Sequence, residues 1–408
     1  MNFLFAWRYF KAKKSTNAIN IIAWISILAI LVGTAALILV LSVFNGFEDL
    51  VKSLYSSFYP DIKISPASGK QLVLTQEQLA KLKGIKGVNQ YTLVAQEKAL
   101  LQNGEFQSIV YLKGVDENYS KVSGVSSHVI KGVFDVGTVE SPLLVLGAGI
   151  ENAVGVQSDR NLSPLTVYMP RKSADVSLTD PLQSISADTV NTSGTFIIQQ
   201  EFDNNYAFTN LEFMRAMLEL PEDTYGAAEF SLVPDTDPDA VKEQMQKVLG
   251  KDYLVQTRFE QNQSLYAVMR AEKWVIYIIL SLILVVAAFN MIGALTMLVL
   301  EKKKDISVLH ALGADRGLIQ KIFISEGLLL ALIGGGVGML LALLIALGQI
   351  YFKLIPLQGG SFLIDYFPVK LNPMDFLLVA TTVVVIALIA SYIPARKAGS
   401  QQFLLREE

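Results

Sequence analysis

Four stretches of the chain, residues 15–47, 274–300, 327–352 and 376–395, carry no charged side chain. Each reaches the ~20 apolar residues that cross a hydrocarbon core, so the pattern predicts transmembrane helices over 16–47, 274–300, 321–352 and 376–395. The first does not end at its first charge. Phe47, Leu50, Val51, Leu54, Tyr55 and Phe58 continue an i, i+3, i+4, i+7 apolar stripe, while Glu48 and Lys52 form an i, i+4 pair on another face. The helix is therefore expected to leave the membrane as a stalk and to stop at Pro60. A similar pattern over 257–270 leads into the second span. Between the stalks, residues 48–273 contain no membrane-length run. Strand patterns at 61–65, 88–101, 107–113, 143–146, 165–169, 195–200 and 230–233 alternate with helical ones at 75–83, 147–154, 210–218 and 238–249, the last capped by Asp237. An α+β domain follows. Residues 171–190, rich in Ser, Asp and Thr with Pro181 among them, have no period and are expected to form a long exposed loop or hairpin.

The charges decide where the spans end. Glu301 to Asp305 is an unbroken charged run, and a charge at mid-membrane costs about 2.5–3.5 kcal/mol, so the second span stops there. In 301–320, Ile306, Leu309, His310 and Gly313 recur at helical spacing beside Val308 and Leu312. That spacing suits a short helix at the membrane surface that offers an apolar face to a partner; a solvated connector is the alternative. Residues 353–375, with Pro356, Gly359, Gly360, Pro368 and Pro373, are expected to be a turn-rich loop between spans three and four. Phe3, Leu4, Trp7 and Phe10 predict an interfacial helix over 1–15, and 396–408 form a tail. Lys and Arg crowd 8–14, 302–321 and 396–406, whereas the short opposite loop has Lys353 and Lys370. The bias puts both termini and the 301–320 segment in the cytoplasm, with the large domain outside.

Composition then removes function classes. With 52% hydrophobic residues and a net charge of −3, the chain is part membrane, part soluble, and lacks the concentrated basic face that nucleic acid requires. It has no cysteine, hence no disulfide or thiolate chemistry. No G-x-x-x-x-G-K-[ST] phosphate loop occurs, so ATP is not hydrolysed by that route. Gly147-Ala148-Gly149 after an apolar strand is read as a strand-to-helix turn, and His128 and His310 lie too far apart, on opposite sides of the membrane, to share a metal. The uncharged spans hold no carboxylate for a proton relay, so the driving energy comes from elsewhere. Gly334, Gly335, Gly336 and Gly338 predict close helix packing; Asn290 could hydrogen-bond across helices or cap a local backbone feature, and interhelical packing is the favoured reading.

FAWRYFKAKK, LSVFNGFEDLV, AAFNMIGALTMLVLEKKKDISVLHALGA and the terminal SYIPARKAG together resemble the LolC/LolE lipoprotein-releasing permeases of the FtsX/MacB-type ABC transporter superfamily. The resemblance spans all four membrane segments. It implies a membrane α-helical protein with four transmembrane helices and a large α+β periplasmic domain inserted between spans one and two, working at the bacterial inner membrane as a dimer with a second copy or a paralogue. Two separate ABC ATPase subunits would use ATP and Mg; this chain would bind no cofactor or metal and catalyse nothing. It would draw lipoproteins from the membrane lipid and pass them to a periplasmic carrier. Asp305, Ile306, Val308, Leu309, His310, Leu312, Gly313 and Ala314 would couple to the ATPase. Val43, Phe47, Leu50, Val51, Leu54, Tyr266, Met269, Ile276 and Ile279 would form the stalks and the lipid-receiving surface. A carrier-binding hook aligns by position with 170–184, through Pro170, Arg171, Lys172, Pro181 and Leu182. Two other readings stay open: a mechanotransmission permease for efflux, and an FtsX-like regulator of a periplasmic partner.

Overall fold

The computed structural model describes residues 17–160, 164–171, 185–221, 223–357, 364 and 366–400. The predicted helix over 1–15, residues 401–408 of the 396–408 tail and most of the 170–184 hook fall outside them. The chain divides into two units, one of Met1–Leu50, Ala267–Gln358 and Ile364–Glu408, the other of Val51–Tyr266 and Gly359–Leu363.

In chain order, α1 (Asn17–Phe58) is one unbroken helix that passes from the first unit into the second. The second unit then builds β1 (Ile62–Pro66), β2 (Leu72–Val73), α2 (Gln76–Lys83), β3 (Val88–Asn103), β4 (Phe106–Val115), α3 (Tyr119–Val122), β5 (Val129–Gly132), β6 (Leu143–Gly147), α4 (Ala148–Val154), β7 (Leu165–Pro170) and β8 (Ile185–Phe196). It continues with α5 (Gln200–Asn205), β9 (Tyr206–Asn210), α6 (Leu211–Met217), β10 (Thr224–Tyr225), β11 (Ala227–Leu232), α7 (Pro238–Leu249), β12 (Tyr253–Thr257) and α8 (Arg258–Gln261). α9 (Gln263–Glu301) leads back into the first unit, followed by α10 (Lys303–Ala311), α11 (Arg316–Phe352) and α12 (Pro373–Gly399). α1, α9, α11 and α12 are each long and apolar enough to cross a membrane.

The second unit is organised by one mixed sheet in the order β12-β1-β11-β3-β4-β9-β6-β8-β5, with β7 bridging β3 and β8. Most pairs are antiparallel; β4 with β9 and β6 with β8 are parallel. Helices cover it where the sequence sets an apolar stripe. α2 is closed by a Thr75/Gln78 capping box and α7 by Asp237 with Pro238 in its first turn, and both pack on β1, β11 and β12 through Leu79, Leu82, Val241 and Met245. α4 and α6 cover the other half through Ile150, Val154, Leu211 and Met214. The Gly147 turn is the strand-to-helix junction expected of it.

Two expectations need correction. The strand expected at 195–200 holds only for Thr195 and Phe196, which end β8: α5 starts at Gln200, and the strand instead reaches back to Ile185 through residues expected to be loop. Its Ser186, Asp188, Asn191 and Gly194 carry little strand propensity, and the pairing comes from neighbours β7, β6 and β5. Asn290 is exposed on α9 and faces none of the other helices.

A buried ion pair sits inside this sheet. Lys113 Nζ on β4 donates to both carboxylate oxygens of Glu229 on β11, at 2.8 and 2.9 Å, and lies over the Tyr119 ring at 4.9 Å. Lys63 is Glu229's register partner on β1. Burial pulls the Lys63 pKa down. Burial acts the same way on Lys113, but the Glu229 carboxylate and the Tyr119 hydroxyl outweigh it and hold that ammonium above the ordinary lysine value.

In the first unit the helices are drawn together by missing side chains. A Cβ on Gly338 would lie 2.5 Å from the Leu31 carbonyl oxygen of α1, and one on Gly334 would lie 2.8 Å from that of Ile27. Gly335 faces Val383 of α12 at 3.1 Å, whereas Gly336 meets nothing. Lipid is as apolar as leucine, so helices associate through such close contact rather than through hydrophobic burial.

Two outcomes follow for stability. Glu229→Gln strands the Lys113 charge and is expected to cost the domain about 3–5 kcal/mol, read as lost hydrogen-exchange protection in β3, β4 and β11 of the full-length protein; a joint Lys113→Met/Glu229→Leu change is expected to cost less. Because the Lys113 pKa is raised on folding, the pair's contribution persists below about pH 10 and fades as pH climbs through the folded value. Gly338→Ala is expected to destabilise the bundle by about 1–3 kcal/mol through overpacking, while Gly336→Ala leaves its melting temperature unchanged.

Candidate functional site

No metal-binding group of three or more His, Cys, Asp and Glu occurs among the described residues, and the residues singled out in the sequence fall into three places. The first is the root of the stalks. β1 and β12 pair antiparallel, with Ile62 opposite Thr257, so the end of α1 and the start of α8 arrive side by side. Arg258 fastens them. Its backbone N–H donates to the Asp61 carbonyl at 2.9 Å, its Nε to the Tyr59 carbonyl at 3.1 Å, and its guanidinium pairs with the Asp61 carboxylate at 2.8 Å.

Within the second unit the last turns of α1 are plugged into an aromatic socket. Phe58 stacks on Phe202 at 4.1 Å between centroids and meets Tyr206 edge-on at 4.7 Å. The Tyr55 hydroxyl donates to Glu201 at 2.6 Å. Burial, then the Glu201 carboxylate, push its pKa well above the ordinary tyrosine value, so it remains a donor at any physiological pH. Of the named stalk residues, Leu54 and Tyr266 are buried, Tyr266 stacking on Phe259 at 4.9 Å. Val51 is half-buried in the same unit.

In the first unit Val43, Phe47, Leu50, Met269 and Ile276 are half-buried and Ile279 is exposed. α9 turns Ile278, Ile279, Leu282, Val286 and Phe289 away from the other helices, an apolar face suited to lipid or an apolar ligand.

The second place is α10. Gly313, at φ +91°, takes the left-handed conformation that ends this helix, and the N–H groups of Gly313 and Ala314 cap the carbonyls of His310 and Leu309. Asp305 pairs with Lys302 at 3.2 Å, and His310 Nδ1 lies 3.0 Å from the Ala314 carbonyl. Periodicity grouped Ile306 with the docking face; the structure instead buries it in the bundle core, where it anchors α10. Val308 and Leu312 are the exposed apolar residues, at 59% and 79%, with Leu309 half-buried.

The third place is the end of the β7–β8 pair. Pro170 lies opposite Ile185, and Arg171 approaches Glu219 at 3.7 Å; Lys172, Pro181 and Leu182 lie outside the described residues. Leu100, Ile109, Tyr168, Pro170 and Ile185 line an apolar groove of about 560 Å³ beside it.

Sequence reasoning missed a polar cluster in the bundle. Asn45 of α1, Lys273 of α9 and Asp375 of α12 form a closed triangle. No spacing along the chain groups them, and only the packing of three helices brings them together.

The comparisons with known proteins match this layout. Residues 23–248 match the MacB-like periplasmic core domain, and residues 277–403 the FtsX-like permease C-terminal family. The lipoprotein-releasing system transmembrane protein LolE of Haemophilus influenzae is 27% identical, over 98% of this chain and 97% of its own. LolC of Neisseria meningitidis is 26% identical over 97% of each chain, and LolC of Xylella fastidiosa 26% identical over 97% of this chain and 95% of its own. Four apolar helices with a periplasmic core domain make this a membrane permease component. The chain belongs to the LolC/LolE family of FtsX-like permeases that carry a MacB-like periplasmic core domain.

Proposed function

We propose that this chain is the permease subunit of an ABC transporter that extracts lipoproteins from the inner membrane and passes them to a periplasmic carrier, with ATP and Mg used by two copies of a separate ATPase subunit. The observation that carries this is the likeness to lipoprotein-releasing system transmembrane proteins along nearly the full length of both chains. In this reading 16–47, 274–300, 321–352 and 376–395 are the spans, both termini and the 301–320 segment are cytoplasmic, and the domain is inserted between spans one and two.

The chain's own residues supply docking and mechanical transmission rather than catalysis. Val308 and Leu312 of α10, with Leu309 beside them and Ile306 holding the helix to the bundle, seat in the ATPase. Gly313 and Ala314 hold that helix's end, while Asp305 and His310 keep its polar flank in shape. The unbroken α1 and the long α9 carry displacement to the domain, because helix backbone is stiff along its axis and both helices root at the Arg258–Asp61 junction and the aromatic socket. The apolar faces of α1 and α9, from Val43 to Leu50 and from Met269 to Ile279, accept acyl chains. A second permease copy or a paralogue covers the other side, and residues 170–184 meet the carrier.

Co-purification from native membranes in mild detergent, with mass spectrometry of associated proteins, tests the reading. An ATPase and a bound lipoprotein support it; an ATPase with a cell-wall hydrolase or an efflux adaptor overturns it. Leu312→Asp is expected to weaken ATPase association about tenfold or more, the loss of a contact worth about 1.4 kcal/mol or more, with membrane insertion unchanged. Tyr55→Phe deletes a charge-assisted hydrogen bond worth about 1.5–3 kcal/mol and is expected to lower lipoprotein release per ATP hydrolysed, while ATPase binding stays normal.

A further inference from the structure

The Asn45, Lys273 and Asp375 triangle joins three helices at the bundle end where α1 and α9 pass into the domain. The Asn45 Nδ2 donates to Asp375 Oδ2 at 2.6 Å, the Asn45 Oδ1 accepts from Lys273 Nζ at 2.7 Å, and Lys273 Nζ lies 3.4 Å from Asp375 Oδ1. Asn45 and Asp375 are each 7% exposed.

Its two seams differ in kind. α1 and the segment leading into α12 are joined through backbone as well as side chains: Gly46 lies against the Pro368 carbonyl so closely that no Cβ fits, the Lys370 N–H donates to the Ser42 carbonyl at 2.9 Å, Asn45 Nδ2 reaches the Lys370 carbonyl at 3.4 Å, Lys370 pairs with Asp49, and Phe47 meets Phe367 edge-on at 5.9 Å. α9 is held at this level by side chains, the Lys273 ammonium and, one turn on, the Tyr277 hydroxyl against Thr382. A side-chain ion pair has two discrete states, made or broken, whereas a backbone seam gives only by distorting the helix. α9 is thus the releasable member.

We propose that Asn45, Lys273 and Asp375 are positioning residues forming a latch, and that α9 spreads from α1 only when Lys273 leaves the other two. The inference rests on the reading above, in which the apolar faces of α1 and α9 accept acyl chains. Asn45 makes the latch symmetric to charge. Its amide has one donor end and one acceptor end, and by turning over it can serve a carboxylate on either helix and an ammonium on the other. Exchanging the charges should therefore rebuild the latch, which a simple packing role would not allow.

The chain has no native cysteine, so labels on Val40→Cys of α1 and Ile278→Cys of α9, both exposed, report the α1–α9 distance alone. The measurement uses the full-length chain in lipid nanodiscs, diluted with unlabelled chain, by pulsed electron resonance. Asp375→Asn, nearly isosteric, and Lys273→Met are each expected to shift the distance distribution longer and broaden it; Lys273→Asp/Asp375→Lys is expected to return it to the starting width. Unchanged distances in both single variants, or no restoration by the exchanged pair, overturns the latch. The readout needs no cargo. If the lipoprotein reading fails, release is absent already in the unsubstituted chain while the distances still sort the variants.

Discussion

The antiparallel pairing of β1 with β12 is the contact on which the second unit depends. The domain's chain enters at Ile62 and leaves at Thr257, and pairing these positions sets the end of α1 beside the start of α8. Everything between them, a sheet covered on its two halves by α2 with α7 and α4 with α6, is in effect one long insertion closed by a short ladder. Closing so large a loop is costly in chain entropy, though the cost grows only slowly with length. The Arg258–Asp61 pair and the Phe58 socket reinforce the closure.

The two units use polar groups differently. In the domain, Lys113 and Glu229 are buried and fully engaged, and their worth lies chiefly in the penalty for separating them. The bundle relies on close helix contact, with Gly334 and Gly338 letting α11 reach the backbone of α1. Two of its polar clusters are the Asn45 triangle and the Lys302–Asp305 pair beside the capped end of α10. Side-chain ion pairs of this kind can change partners without unfolding a helix.

Family membership explains why little of the chain is catalytic in character. A permease component needs surfaces, joints and a path for apolar groups. The residues that stand out physically are of those kinds: Val308 and Leu312 exposed on a short polar helix, aromatic rings gripping a helix end, and an apolar face on α9. Asn290 sits on that face rather than between this chain's helices. An amide there has lipid or another apolar surface as its neighbour, a choice the chain alone leaves to its assembly.

The sequence by itself determined the four long apolar helices, the stalk that continues the first of them, the α+β character of the insertion, the caps at Thr75 and Asp237 and the turn at Gly147. All of these are local: a period of 3.6 or 2, a charge that cannot enter hydrocarbon, a side chain that bonds its own backbone. Tertiary structure decided the rest. β8 is a strand because β7, β6 and β5 supply its hydrogen bonds, against the propensity of its own Asp188, Asn191 and Gly194. Ile306 turned inward because the bundle core lay on that side of α10. The Asn45, Lys273 and Asp375 triangle and the Lys113–Glu229 pair join residues hundreds or scores of positions apart; no periodicity along the chain encodes such meetings, which exist only once helices and strands have packed.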